Sequence, residues 1–478
     1  QSLAMLQPQP QIAGEVGVHC RGKPAAPKCR ATPQIKDRLS AKKRSTPRVE
    51  GRFLPVHPPE PLFDKAEPPR TYRHPRMPLP KPPQTSLRKL AALFFVTAMP
   101  MGMWAVPLST VFKAHGREHL VPWVLATTSI AAFISPLFTG ALADQRMAPV
   151  KLLRWLAILT SITLALTCTA LHLHLSDAAV LIAAQVQALV ATPVWSIASS
   201  IVFSQLQNAK RQFGPLRAFA TGGWMAGCWI VSLVLQSDET LVGGFTASVL
   251  WLVVAALTLM IPAIPPTDTG QPRSWIQILG LDALTLLKHR DHRIVFITAA
   301  LYCMPLAAFY PYTALQMKTL GVTSVAAMMS LAQTTEILVM LVLSGVMTRF
   351  RLKWVFLSGI LICVVRYSLN AVNTLPAVIT GTVLHGLAFT LYFITTQIYL
   401  EERIDPKWRV RAQALLALLM SGVGNLLGYL GGGWWFRACT QDHHTDWQLF
   451  WTGETALTAA VCLFFAFAYK GRGAKASA

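Results

Sequence analysis

The feature that most constrains this chain is a succession of apolar runs, each about 20 residues long, separated by short polar connections. At 1.5 Å rise per residue, a helix of that length matches the roughly 30 Å hydrocarbon core of a bilayer. No water reaches backbone groups in lipid, so every N–H and C=O must be paired within the element, and such runs fold as helices. Twelve runs can be drawn, at approximately 90–112, 121–143, 152–172, 178–203, 216–235, 244–263, 293–316, 323–347, 353–372, 376–399, 411–435 and 448–469. With 53% hydrophobic and only 13% charged residues, the chain reads as an all-α polytopic membrane protein whose outer surface meets the lipid bilayer.

The charges are placed unevenly. Residues 1–86 carry 16 Lys/Arg against 6 Asp/Glu, with many prolines and no apolar periodicity, so they form a basic extension that cannot bury a core. Met77 is a candidate start, which would remove most of that extension. Among the connections, 145–151, 207–217, 267–293, 349–353, 401–411 and 470–475 hold roughly twenty Lys/Arg, whereas the alternate set holds only a few. This bias places both termini in the cytoplasm of a multi-pass inner-membrane protein. It also accounts for the +22 net charge without a nucleic-acid partner. The eight cysteines are scattered, with no CxxC or Cys/His spacing, so neither a metal site nor a disulfide framework is expected. No phosphate loop or nucleophile–base pair suggests an enzyme or a bound cofactor.

Within the run 322–347, Gln333 and Glu336 are spaced i, i+3 and share one helix face. A carboxylate at mid-membrane costs about 3 kcal/mol unless it faces protein, a partner or water, so its default reading is functional. Glu336 is therefore expected to be the proton-titrating group of a solute carrier. The longest internal connection, 264–292, divides the runs six and six, giving halves at 87–263 and 293–470 and a short tail at 471–478. A faint repeat supports the division: Ala126-Thr127-Thr128-Ser129 through Gly140 and Asp144 matches Leu331-Ala332-Gln333-Thr334 through Gly345 and Arg349 at a constant offset. Paired repeats with a solute site between them are a transporter design.

Gly140-Ala141-Leu142-Ala143-Asp144-Gln145-Arg146 resembles the loop signature of the major facilitator superfamily, which implies that fold, with twelve transmembrane helices in two six-helix halves. Gly140 would permit close helix approach, and Asp144 would cap a helix and pair with an arginine. Several further runs are similar to the nucleoside:proton symporter family of that superfamily. They are Arg217-Ala218-Phe219-Ala220-Thr221-Gly222-Gly223-Trp224, the central-loop run from Ser274 to Leu284, Gln333 with Glu336, Arg366-Tyr367, Ala412-Gln413 with Gly422, Gly424 and Gly428, and Thr445-Asp446-Trp447-Gln448.

That resemblance implies a site carried by Arg217, Thr221 and Trp224 in the fifth run, Gln333 and Glu336 in the eighth, and His385 and Phe389 in the tenth. Arg217, Thr221 and Trp224 fall on one face at i, i+4, i+7. Arginine and threonine suit hydroxyls or a carboxylate, and an indole can stack on a base. Two departures stand out. The family's acidic residue after Phe389 is Thr390 here, and in the seventh run the family's polar pair reads Ala307 and Tyr310. Pro107 and Pro311, in corresponding positions of the two halves, are candidate bends for gating. The resemblance implies a monomeric symporter importing nucleosides with protons by alternating access. Kept beside it are a carrier of another polar solute, such as a sugar or a modified nucleoside, with weak or no proton coupling, and a membrane sensor that transports nothing.

Overall fold

The computed structural model describes residues 85–145, 147–206, 209–262, 274–442 and 444–471, and twelve helical spans can be followed through them. Spans one to four cover Leu87–Ala114, Glu118–Phe138 (helical on to Gln145), Pro149–His172 and Asp177–Gln205. Span five joins Ala209–Trp229 to Ile230–Val234, and span six is Val242–Met260. After the central segment come span seven, Arg290–Thr319, and span eight, which joins Val325–Met329 to Leu331–Arg349. Spans nine to twelve are Leu352–Ala371, Leu375–Arg403, Pro406–Ala438 and Trp447–Ala468. Ten of these are long and apolar enough to cross a bilayer. The helices outrun the apolar stretches: span five begins at Ala209 and span ten ends at Arg403, because helix continues into residues that meet headgroups and water.

Prolines set the interruptions. Span seven breaks at Ala308, where Pro311 has no N–H for the carbonyl of Ala307 and its ring crowds that carbonyl. Span one breaks at Val106–Pro107, and Pro107 then leads the short helix Leu108–Ala114. Three segments widen into π-helical turns, at Ile230–Val234, Thr390–Ile394 and Leu418–Gly424, a distortion often found at functional positions. Gly140 and Asp144 belong to the last turns of the helix Val121–Gln145, and the capping role expected of Asp144 lies outside the described residues.

Glycines let the helices meet. A Cβ on Gly223 would strike the carbonyl of Phe95, and one on Gly227 the carbonyl of Met99, so spans one and five touch backbone to backbone. In the second half, Gly386 on span ten lies against the Ala332 carbonyl and the Glu336 amide of span eight. The central segment folds as Trp275–Ile278, closed by a reciprocal Ser274/Gln277 cap, followed by 3-10 turns over Leu281–Lys288. Asp282 there pairs with Arg411 of span eleven at 2.9 Å. A two-residue hairpin pairs Thr440–Gln441 with His444–Thr445 before span twelve.

Candidate functional site

Arg217, Thr221 and Trp224 occupy one face of span five and are all buried. The close seam with span one fixes the rotation of that helix, so this face turns toward the second half. The indole of Trp224 meets the ring of Tyr310 edge-on, with centroids 6.3 Å apart. The Arg217 guanidinium lies within electrostatic reach of the Glu336 carboxylate, which is only 6% exposed. Glu336 therefore faces protein across the junction of the halves, the condition under which a charge at that depth is tolerable.

Gln333 stands one turn before Glu336 and donates from Nε2 to the Tyr310 hydroxyl at 3.3 Å. The break at Ala308 is what allows Tyr310 to present its ring and hydroxyl here. Tyr310 also meets His385 edge-on at 5.6 Å, and His385 continues toward Phe389, whose ring centroid is 5.9 Å away. Span eight is held to span ten by the Thr335 hydroxyl, which bonds the Val383 carbonyl, and by the glycine contact at Gly386. These contacts join Trp224, Tyr310, Gln333, His385 and Phe389 and set Arg217 near Glu336, while Thr221, Thr390 and the apolar Ala307 are also buried.

Among the described residues, buried polar atoms of this group without a hydrogen-bond partner include the Trp224 indole N–H, the Gln333 amide oxygen and the Thr390 hydroxyl. Such groups cost about 1–3 kcal/mol each when left unsatisfied, so they mark where a ligand would bond. They offer one donor, one acceptor and one group that can do either, a set suited to an uncharged polar solute bearing amide-like edges and hydroxyls.

His385 is more constrained than the sequence implied. Its imidazole stacks on Phe309 at 4.1 Å, and its Nδ1 bonds the Arg366 guanidinium. Arginine can only donate, so Nδ1 accepts and the ring proton sits on Nε2. Arg366 is fully buried, with its guanidinium 4.5 Å over Phe309 and 4.3 Å over Tyr367. The imidazole thus packs among Phe309, Tyr310 and Phe389, with the Arg366 guanidinium on its Nδ1.

Three polar features went unassigned in the sequence. Arg366 was visible as a charge inside an apolar run. So was Glu454 in span twelve, which is 5% exposed, has one carboxylate oxygen without a partner, and lines a recess of about 380 Å³ with Met304, Gly428, Gly432 and Trp435. The third is a cavity of about 60 Å³ between the halves, where Thr128 and Gln187 face Ser421 and Asn425 beside Trp104 and Trp251. It is assembled from six spans, so no local pattern could reveal it.

Two six-helix halves with a buried acid and a ring of polar and aromatic groups between them define a secondary transporter of the major facilitator fold. The comparisons agree. Residues 84–473 match the family model described as nucleoside H+ symporter. The chain is 27% identical over 401 residues to the putative nucleoside transporter YegT of Escherichia coli, covering 79% of this chain and 92% of that one. It is 24% identical to the nucleoside permease NupG of the same organism, covering 80% and 94%. It is likewise 24% identical to the E. coli xanthosine permease, covering 80% and 96%. The crystal structure of nucleoside transporter NupG superimposes with a TM-score of 0.72 at 21% identity, covering 80% of this chain and 99% of that one. A D-xylose-proton symporter shares the fold at a TM-score of 0.59. The chain belongs to the nucleoside H+ symporter family, a family of multi-pass membrane transporters.

Proposed function

We propose that this protein imports nucleosides together with protons across an inner membrane, as a monomer with both termini in the cytoplasm. The observation that carries this reading is Glu336, buried opposite Arg217 at the junction of the halves and one turn from a glutamine whose amide oxygen lacks a partner. Arg217, Thr221, Trp224, Tyr310, Gln333, Phe389 and Thr390 bind the nucleoside, with His385 as a positioning group. The indole and tyrosine rings hold the base, and the amide and hydroxyls bond its edge and the ribose.

Glu336 takes a proton while the cavity faces outward. Neutralising it weakens its attraction to Arg217 and lets the substrate bridge spans five, seven, eight and ten. The halves then rock against each other, and the proton leaves to the cytoplasm. One charge crossing 100 mV supplies about 2.3 kcal/mol, enough to concentrate substrate roughly 50-fold. Thr390, standing where the family has an acid, leaves Glu336 as the carboxylate of this central group.

The test is uptake of labelled uridine and adenosine into energised vesicles, with and without a protonophore. Accumulation that the protonophore collapses supports the reading. Absence of uptake for every nucleoside tried rejects the substrate, and uptake indifferent to the protonophore rejects the coupling.

A further inference from the structure

On the proton-coupled reading above, one face of the protein opens to the outside, and its closure is made by residues that the central site does not use. The connection after span five turns back so that Asp238, only 4% exposed, reaches into the second half. Its Oδ1 accepts from the Ala326 N–H at 2.7 Å and from the Ser232 hydroxyl at 3.0 Å. Ser232 in turn accepts from the Ala327 N–H at 2.9 Å. The two side chains thus satisfy successive amides in the opening turn of span eight, the helix that holds Gln333 and Glu336.

Other bonds cross between the halves at this end. Ser109 donates to the Pro311 carbonyl at 2.9 Å, the Trp229 indole donates to Ser330 at 3.0 Å, and Glu239 pairs with Lys318 at 3.0 Å. Thr110 bonds the Asp238 carbonyl and holds the connection itself in place. Apolar side chains from both halves, among them Phe112, Met317, Val325 and Met329, fill the space beneath. Glu239 is half exposed, and an ion pair of that kind contributes little. The buried carboxylate with two donors is the stronger element.

We propose that Asp238 is the latch of the outer face: its carboxyl group ties the span five–six connection to the start of span eight, and its protonation state sets how readily that face closes. Asp238 is a positioning residue, since it touches neither substrate nor the transported proton. The π-helical turn at Ile230–Val234 is what swings Ser232 into the network.

The groups facing the latch determine the sign of its pH dependence. Burial pushes the Asp238 carboxyl above the usual carboxylate range; the Ala326 N–H, Ser232 and Lys318 oppose this, and Glu239 adds to it. Cys228 is the remaining titratable neighbour. With the face open, Asp238 is in water and titrates normally. The closed state therefore binds the proton more tightly than the open one, and external acid favours closure. That advantage fades as pH rises through the elevated value. A carrier that closes its outer face more readily when the outside is acidic gains coupling at the gate, in a chain that has Thr390 where its family has a second central acid.

The experiment is distance measurement between spin-labelled unnatural side chains at Thr240 and Thr323, exposed positions on this face in opposite halves, in the full-length protein in nanodiscs. Wild type should show a short-distance population that grows several-fold between pH 8 and pH 5. Asp238→Ala should shift the population toward long distances at every pH. Asp238→Asn, neutral but still able to accept both bonds, should stay closed and lose the pH response. An alanine variant as closed as wild type overturns the latch, and an asparagine variant that follows pH like wild type overturns the titration. The readout needs no nucleoside, so a failure here is distinguishable from a failure of the substrate reading, which uptake alone decides.

Discussion

In the first half, helices meet through glycine and are filled in with leucine, valine and alanine; its core includes Leu93, Val111, Leu153, Val180, Ala198 and Val231, with rings at Phe94, Trp104, Phe112, Trp195, Trp224 and Trp251. In the second half the interior is a web of aromatic rings, from Tyr302 against Tyr392 at 4.2 Å to Tyr367 stacked on Trp451 at 5.4 Å, with Arg366 and His385 buried among them. Aliphatic packing has no preferred partner geometry and tolerates sliding, whereas rings and buried hydrogen bonds fix angles. The chemistry is divided accordingly. On the proposed reading, the second half supplies Tyr310, Gln333, Glu336, Phe389 and Thr390 on this ring-lined framework, and the first half presents one helix face, Arg217, Thr221 and Trp224, that moves against it. If this division holds, substitutions in the second half change what is transported and how it is coupled, and those in the first half change how easily the halves move.

The largest effect is expected at the acid. Glu336→Gln should lower protonophore-sensitive accumulation by about 100-fold or more, the scale on which positioned proton transfer acts, while leaving nucleoside exchange measurable. Glu454→Gln is its control within the same half. Glu454 is equally buried, but it borders a recess among spans seven, eleven and twelve and has no place in the group around Gln333. Accumulation in that variant should stay near wild type. Equal losses in the two variants would mean that the second half distributes its proton over both carboxylates, and the division between a central acid and a peripheral one would fail.

A second pair sharpens the contrast between chemistry and packing. Gly386→Ala and Gly227→Ala each push a methyl group into a backbone carbonyl, of Ala332 and Met99 respectively, and overpacking of this kind costs about 1–3 kcal/mol. Thermal midpoints of both purified proteins should fall by similar amounts. Uptake per folded molecule should drop much further for Gly386→Ala, because the same methyl group meets the Glu336 amide and displaces the acid. If Gly227→Ala is instead the more defective transporter, the seam between spans one and five takes a larger part in the site than its aliphatic surroundings imply.

How legible these arrangements were depended on whether the information was local. The twelve spans, the division at the central connection and the shared faces of Gln333 with Glu336 and of Arg217 with Thr221 and Trp224 all follow from periodicity, because helix geometry repeats within a few residues. Membership of the family rested on short runs in the right order. Less visible was anything that joins distant segments. Arg366 reads as an awkward charge until His385 and Phe309 are placed around it, and Asp238 reads as an ordinary loop carboxylate until the amides of Ala326 and Ala327 arrive from the other half. His385 reads as one of the site residues of span ten. Its actual partner is a guanidinium, which no spacing in span ten could have announced.

The smallest expected effect tests the finest point of the comparison, that hydrogen bonds in the ring-lined half act on affinity rather than on folding. Tyr310→Phe keeps the ring against Trp224 and His385 and removes the hydroxyl that accepts from Gln333. A lost neutral hydrogen bond is worth about 1 kcal/mol, roughly a fivefold change in an equilibrium. Because the Gln333 amide oxygen already lacks a partner, freeing its Nε2 as well leaves the side chain to rotate, so the loss should fall on substrate binding. The expected outcome is a KM for uridine raised about fivefold, an unaltered maximal rate and an unaltered thermal midpoint. A lowered midpoint with unchanged KM would assign the hydroxyl to structure, and Tyr310 would then belong with the aromatic framework behind the site instead of with the groups that meet the nucleoside.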